Sequence, residues 1–147
     1  MKPEQITFRP AAAQDAAAIK ALVRLVRINP MALDWSRFLI ASAAEGQLVA
    51  CGQIKPHGEG TLELASIAVH PDWRGQGLAR EVIARLLAGA ARPLYLTCRS
   101  ELEPFYAKFG FRRLAARELT PYFRRIQKLA NLFMFREGGS LSVMRLD

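Results

Sequence analysis

The stretch Ile67-Ala-Val-His-Pro-Asp-Trp-Arg-Gly-Gln-Gly-Leu-Ala79 decides how the rest of the chain is read. Thr61 to Val69 is an apolar run of strand length, and it empties into Pro71 and two glycines. Beyond the glycines, Leu78, Val82, Ile83, Leu86 and Leu87 recur at helical spacing. Glu81 and Arg85 form an i,i+4 pair on the other face, and Gly89 is a stop. A strand therefore feeds a turn, and the turn opens a helix. The first N–H groups of a helix lack partners, and the macrodipole adds partial positive charge there. Gly75 and Gly77 carry no side chain to hold an anion off, and Arg74 and Arg80 add cationic donors. Arg74, Gly75, Gln76, Gly77, Leu78, Ala79 and Arg80 thus suit the binding of a pyrophosphate.

Two well-known phosphate loops do not fit. A Rossmann loop needs G-x-G-x-x-G, and Arg80 stands where the third glycine belongs; no β-α-β unit opens the chain either. A P-loop needs G-x-x-x-x-G-K-[ST], which is absent.

Outward from this turn, the pattern gives a complete order of elements. Gln5 to Pro10 alternates and reads as a strand. Asp15 is placed to cap a helix with Ile19, Leu22, Val23 and Val26 on one face, stopped by Asn29-Pro30. Residues 30–37 are irregular or a short helix. Phe38 to Ala43 and Gln47 to Ile54 read as strands around the turn Ala44-Glu45-Gly46, and a second turn spans Lys55 to Gly60. Pro93 to Cys98 is an apolar strand. Ser100-x-x-Glu103 resembles a capping box for a short helix ending at Gly110. Phe111 to Leu119 reads as a strand. Tyr122 to Phe133 is an amphipathic helix with Phe123, Ile126, Leu129, Ala130 and Phe133 on one face; Gly138-Gly139 then turns into a last strand, Ser140 to Leu146. The order β-α-(α)-β-β-β-α-β-α-β-α-β describes one α/β unit over 1–147, a mixed and mostly antiparallel sheet flanked by helices.

Composition narrows the function classes. At 147 residues and 51% apolar, the chain has a real core and is not disordered. No apolar run approaches the roughly 18 residues of a membrane span. The start, Met1-Lys-Pro-Glu-Gln, has no apolar run behind it, so no secretory signal is read and the cytoplasm is the default compartment. Cys51 and Cys98 lie in strand-like text and do not make a disulfide framework; with His57 and His70 they show no metal-ligand spacing. The net charge is +8, and five of those charges fall beyond Phe111. A basic balance attracts nucleic acid, acidic membranes or phosphorylated cofactors without choosing among them.

Further motifs choose. Arg74-x-x-Gly77-x-Ala79 matches the [Q/R]-x-x-G-x-[G/A] pattern of the GNAT N-acetyltransferases. Leu64-Ala-Ser-Ile-Ala-Val-His-Pro71 resembles that superfamily's fourth strand. Phe105-Tyr-Ala-Lys-Phe-Gly-Phe111 is similar to its [FY]-Y-x-x-x-G-F, and Leu141 to Leu146 looks like its last strand. The resemblance runs from about residue 6 to the end. It implies that acetyl-CoA lies where the fourth and fifth strands splay apart. Backbone groups of Ile67, Ala68 and Val69 would pair with the pantetheine arm, and the N–H groups from Arg74 to Ala79 would hold the pyrophosphate. The Val69 N–H would face the oxyanion. The helix 121–133 is longer than the hairpin usual there, and it is read as an acceptor cover, a homodimer contact or a packing helix.

Acetyl transfer to an amine needs a base, because an amine of pKa about 10.4 is only about one part in two thousand neutral at pH 7. It also needs an acid for the departing thiolate. Tyr106, on the tyrosine of the family motif, is the candidate acid. Glu63 is the candidate base: strict alternation puts it on the face of Ala65, Ile67 and Val69, where it would lose hydration. Some family members carry a glutamate at this place. Cys98 is a weaker candidate for a covalent intermediate, since no histidine adjoins it in sequence. The reading is an acetyl-CoA-dependent N-acetyltransferase acting on an amine-bearing small molecule or protein, without a metal. The alternatives are a non-catalytic acyl-CoA-binding domain of the same fold, or a basic nucleic-acid-binding module argued from Phe123-Arg-Arg-Ile-Gln-Lys128 but lacking any recognised nucleic-acid motif.

Overall fold

A computed structural model describes residues 5–133 and 138–147; the side chain of Phe133, placed above on the helical face, lies outside the description. The chain forms two compact units. One comprises the residues up to Lys55 with Leu64–Ala90, the other Pro56–Glu63 with Ala91–Asp147.

In the first unit the strands β1 (Thr7–Pro10), β2 (Phe38–Ser42), β3 (Leu48–Pro56) and β4 (Leu62–Val69) lie side by side in that order. β1 pairs β2, and β2 pairs β3, both antiparallel, with Ile40 opposite Cys51. Helix α1 (Ala16–Leu25) buries Ile19, Leu22 and Val23 against Phe38, Ile40, Cys51 and Ala68. Helix α2 (Leu78–Gly89) buries Leu78 and Val82 against Ala41, Val49 and Ala50, with Ile67 and Val69 packed alongside. The period-2 alternation of β2 thus sends Phe38 and Ile40 to α1 and Ala41 to α2.

In the second unit the order is β4, β5 (Leu94–Arg99), β7 (Leu141–Leu146) and β6 (Arg112–Arg113). β4 and β5 are parallel, and their ladder is confined to Leu62 with Leu94 and Glu63 with Tyr95. β5 runs antiparallel to β7 over its whole length, and β6 is antiparallel to β7. Helix α3 (Glu103–Ala107) is one short turn, and α4 (Pro121–Phe133) packs on β7. Phe123 of α4 is wholly buried, stacked on Tyr95 at 5.1 Å between ring centres, in a cluster with Leu114, Leu119 and Val143. The sheet is mixed and mostly antiparallel, with helices against it, as the element order implied.

Several local expectations change. Phe111 to Leu119 is a strand only over Arg112–Arg113, after which the Leu114 N–H still donates to the Val143 carbonyl of β7 at 2.9 Å, and a 3-10 turn occupies Ala116–Glu118. Phe111, Leu114 and Leu119 are all buried, but their spacing is not two, and the Glu118 carboxylate turns the chain by accepting from the Ala115 N–H at 3.0 Å. Asp15 closes a 3-10 turn over Ala13–Asp15 by accepting from the Ala12 N–H at 2.7 Å, and its carboxylate holds Arg9. It stands at the N-cap position of α1, as expected, but makes no side-chain capping bond to that helix. That helix ends at Leu25, before Asn29, because Arg27 is left-handed at φ 59°. Ser100 caps no helix either; its hydroxyl bonds Ser140 and Ser142 of the last strand region, and Glu103 accepts from the Ser142 hydroxyl.

Gly52 of β3 sets how closely α2 can lie on the first unit's strands. A Cβ there would stand 2.6 Å from Ile67 Cδ1, 3.0 Å from Val82 Cγ1 and 3.1 Å from Leu86 Cδ1. The Ile67 methyl can swing away, but Val82 is fully buried and stiff. Gly52→Ala is expected to destabilise the fold by about 1–2 kcal/mol through overpacking. The reading is a lower urea midpoint at unchanged slope; an unchanged midpoint would show that the helix rests elsewhere.

Candidate active site

The turn between β4 and α2 is built from backbone. The His70 N–H donates to the Val49 carbonyl at 2.8 Å, and His70 Nδ1 accepts from the Asp72 N–H at 3.1 Å, so a 3-10 turn forms over Pro71–Trp73. Gly75 (φ 80°) and Gly77 (φ 76°) then take left-handed angles that residues with a Cβ rarely adopt. Gly77 stands at the cap position of α2 and no side chain caps the helix. A Cβ built on either glycine would meet nothing within 4 Å. The angle, not crowding from the protein, is therefore what calls for glycine, and the space before the turn is open. Leu78, Ala79 and Arg80 begin a helix whose first turn is closed by the Glu81 N–H donating to the Gly77 carbonyl at 3.1 Å. Arg74, Gln76 and Arg80 are exposed, and the two arginines have no ion-pair or side-chain partner among the described residues. The turn presents free N–H groups, a helix N-terminus and two uncommitted cations, all favourable to a diphosphate.

β4 leads into this turn with a break. Ser66 is left-handed at φ 58° inside the strand. Such a residue ends the two-residue alternation. Ile67 and Val69 pack with α2, and Ala68 is buried against α1. The strict alternation that put Glu63 on one face with Ile67 and Val69 is therefore interrupted at Ser66. The Glu63 carboxylate is 6% exposed and is bonded to His57 Nε2 at 2.6 Å. His57 begins the turn into β4, with its N–H on the Thr61 carbonyl at 2.8 Å. Its ring lies 4.2 Å from that of Tyr122 and edge-on to Phe123 at 5.9 Å. His57, Gly58, Glu59, Thr61, Thr120, Pro121, Tyr122 and Arg125 line a cleft of about 230 Å³.

Sequence reasoning missed His57 and Tyr122. The signal for His57 was present in the turn: with 57 opposite 61 in a hairpin, position 63 is its diagonal neighbour, within reach of two long side chains. Nothing local pointed to Tyr122, which arrives from α4, nearly sixty residues later in the chain.

Tyr106 and Cys98 fall together in the second unit. Tyr106 sits in α3 with its ring edge-on to Phe105 and Phe111. Burial, aided by the nearby Cys98, pushes its phenol up to about 12. Burial likewise pushes the Cys98 thiol up to about 12, with Glu103 and Glu101 adding to it. A thiol so raised is a poor nucleophile at neutral pH. Among the described residues there is no cluster of ligands suited to a metal ion, and no helix long and apolar enough to cross a membrane.

No curated protein matches the sequence. Among solved structures, N-acetylglutamate synthase from Neisseria gonorrhoeae, in complex with coenzyme A and N-acetyl-glutamate, is 22% identical with a TM-score of 0.72. The match covers 99% of this chain but 36% of that one, so the chain spans about a third of its length. Rv2747 from Mycobacterium tuberculosis, in complex with CoA, is 23% identical with a TM-score of 0.69 over 95% of this chain and 98% of that one. An acyl-CoA N-acyltransferase from Pseudomonas aeruginosa is 20% identical with a TM-score of 0.69, covering 99% of this chain and all of the other. These likenesses show the fold. The family model described as an acetyltransferase (GNAT) domain matches residues 34–113, from the short turn before β2 through the glycine turn to β6. By that match over more than half its length, the chain belongs to the GNAT acetyltransferase family.

Proposed function

We propose that the protein transfers an acetyl group from acetyl-CoA to a primary amine by direct attack within a ternary complex. The observation that carries the reading is the open, uncapped turn from Arg74 to Arg80, with two left-handed glycines and two unpaired arginines. These residues take the pyrophosphate of the cofactor. Ile67, Ala68 and Val69 take the pantetheine arm, and the Val69 N–H takes the developing oxyanion. When bound, acetyl-CoA supplies the activated thioester. Glu63 removes a proton from the acceptor nitrogen and Tyr106 gives one to the sulfur. Direct transfer is favoured over an acyl-cysteine because Cys98 is buried and its thiol is raised to about 12.

The raised Tyr106 is consistent with an acid in a dry site. A phenol near 12 would give its proton uphill to a thiolate in water, but Cys98 reports what burial and nearby carboxylates do to a thiol in these surroundings. A thiolate leaving into the same environment is raised with the phenol, and the proton moves between groups of comparable basicity.

Acetyl-CoA at about a hundred times its dissociation constant should stabilise the fold by about 2.7 kcal/mol; no change in melting with millimolar acetyl-CoA or CoA would sink the assignment. Gly77→Val should remain folded and lose most of this protection, because valine disfavours a φ of 76° and projects into the open turn. The acceptor is sought in a panel of amino acids, polyamines, aminoglycosides and short peptides, by release of free thiol.

With any active amine, Tyr106→Phe should leave CoA affinity unchanged and lower turnover by about 10²–10⁴-fold. Because the phenol holds its proton to about pH 12, its titration should put no alkaline fall in the wild-type rate between pH 8 and pH 10. Cys98→Ala should turn over at close to the wild-type rate. A dead Cys98→Ala that still binds CoA would instead establish a covalent route.

A further inference from the structure

We infer that His57 is the proton outlet of Glu63, so that the base of this enzyme is a Glu63–His57 dyad draining into the cleft beneath α4. The inference rests on the reading of Glu63 as the base and adds a residue and a route to it.

The argument begins with proton counting. A primary ammonium acceptor arrives with three protons on nitrogen, and the amide product keeps one. Of the two that leave, one ends on the sulfur of CoA as the C–S bond breaks and the N–C bond forms. The other must leave the protein in every turnover. Glu63 is 6% exposed, and among the described residues its carboxylate is bonded to one partner, His57 Nε2, at 2.6 Å. A carboxyl placed so cannot hand its proton straight to bulk water.

His57 is placed to pass it on. Its side chain is 14% exposed and forms part of the wall of the open cleft, while Nε2 faces Glu63. The Glu63 O–H gives its proton to Nε2 as Nδ1–H gives one to water in the cleft. The ring is left with its proton on Nε2, and the carboxylate is restored. Water in the cleft resets the tautomer by taking the Nε2 proton as it returns one to Nδ1, so that one proton per turnover stays in the solvent. No oxidant or further reactant is needed.

The surroundings favour this path over its neighbour. Four charged or titratable groups face His57: Glu63 from β4, Glu59 from the turn, and Tyr122 and Arg125 from α4. Tyr122 stacks on the imidazole, but burial and then the charge of Glu63 raise its phenol, so it holds its own proton and carries none out. Glu59 is exposed at the cleft and can attract the released proton. Tyr122 and the fully buried Phe123 fix the ring plane, which keeps Nε2 on the carboxylate.

The test is a pH–rate series on wild type, His57→Gln, His57→Asn and Glu63→Gln. It uses acetyl-CoA with the most active amine of the panel or, with none active, water as the acceptor in acetyl-CoA hydrolysis. Circular dichroism checks that each variant is folded. Both His57 variants are expected to lose about 10²-fold in kcat at pH 7, with the acceptor KM and CoA affinity within about twofold of wild type where an amine is used. The loss should shrink as pH rises, and in a further variant, His57→Ala, added imidazole should restore part of the rate. A wild-type kcat in both folded His57 variants overturns the dyad. So does a change confined to KM, which would make the cleft an acceptor-binding site. A wild-type rate in Glu63→Gln removes the base reading itself, whereas a slow Glu63→Gln beside normal His57 variants removes the outlet alone.

Discussion

The hydrogen bonds of one buried amide hold the break in β4 around which the strand's two ends are arranged. Gln53 of β3 has no solvent exposure, and its Nε2 donates to Ser66 Oγ at 2.8 Å and to the Ala32 carbonyl at 3.3 Å. The Cys51 thiol adds a weaker contact to the Ser66 carbonyl at 3.6 Å. Ser66 is left-handed inside β4, a state costing about 1–2 kcal/mol for a residue with a Cβ. Neighbouring β3 therefore grips both ends of the misfit, side chain and carbonyl. Because alternation is broken at Ser66, the residues after it pack on α1 and α2 while Glu63 before it is free to meet His57. One amide thus holds the break between the end of the strand that enters the glycine turn and the end that carries Glu63. The same amide leaves its own Oε1 without a partner, so the grip is retained at the expense of one unsatisfied acceptor.

Charge is divided in a similar way between groups that hold the fold and groups left available. Arg112, Glu118, Arg145 and Asp147 form a network at the β6–β7 edge, and Glu118 is held down to about 2, first by the bond from Arg112. Arg9 is occupied by Asp15, and Arg85 by Glu81. Arg74 and Arg80 have no such partner among the described residues. A net charge of +8 says little by itself, since it does not tell which of the 21 lysines and arginines are engaged by the 13 carboxylates. What matters for an anionic cofactor is that the unpaired cations flank a helix N-terminus whose N–H groups are also unpaired.

The sequence was most legible where local chemistry and global fold agree. The glycine turn, α2 with its Glu81–Arg85 bond at 2.8 Å, and the two hairpin turns lie close to where periodicity and turn residues put them. It was least legible where tertiary contacts override a local signal. Phe111, Leu114 and Leu119 read as a strand because they are apolar, yet the core takes them one at a time around a 3-10 turn. Glu63 was found by its place in an apolar strand, but its face was assigned by an alternation that Ser66 breaks, and a left-handed serine has no sequence signature. His57 looked incidental because its two strongest partners are a diagonal cross-strand neighbour and a helix far along the chain.

That helix gives the α4 insertion a physical reason to exist. A base buried in apolar surroundings is strong only while water is kept from it, yet each turnover obliges it to shed a proton. The two demands conflict unless the carboxylate and the solvent are separated by a group that conducts protons and excludes water. An imidazole covered by a tilted aromatic ring meets both, since the ring shields its face and leaves the nitrogens at its edge to exchange protons. Tyr122 and Phe123 supply that cover from the first turn of α4, with Phe123 anchored on Tyr95. A short hairpin at this place would present no aromatic pair on a rigid element. On the proposed reading the helix thereby joins packing to acid–base chemistry: the contact that buries Phe123 also sets the plane in which His57 meets Glu63.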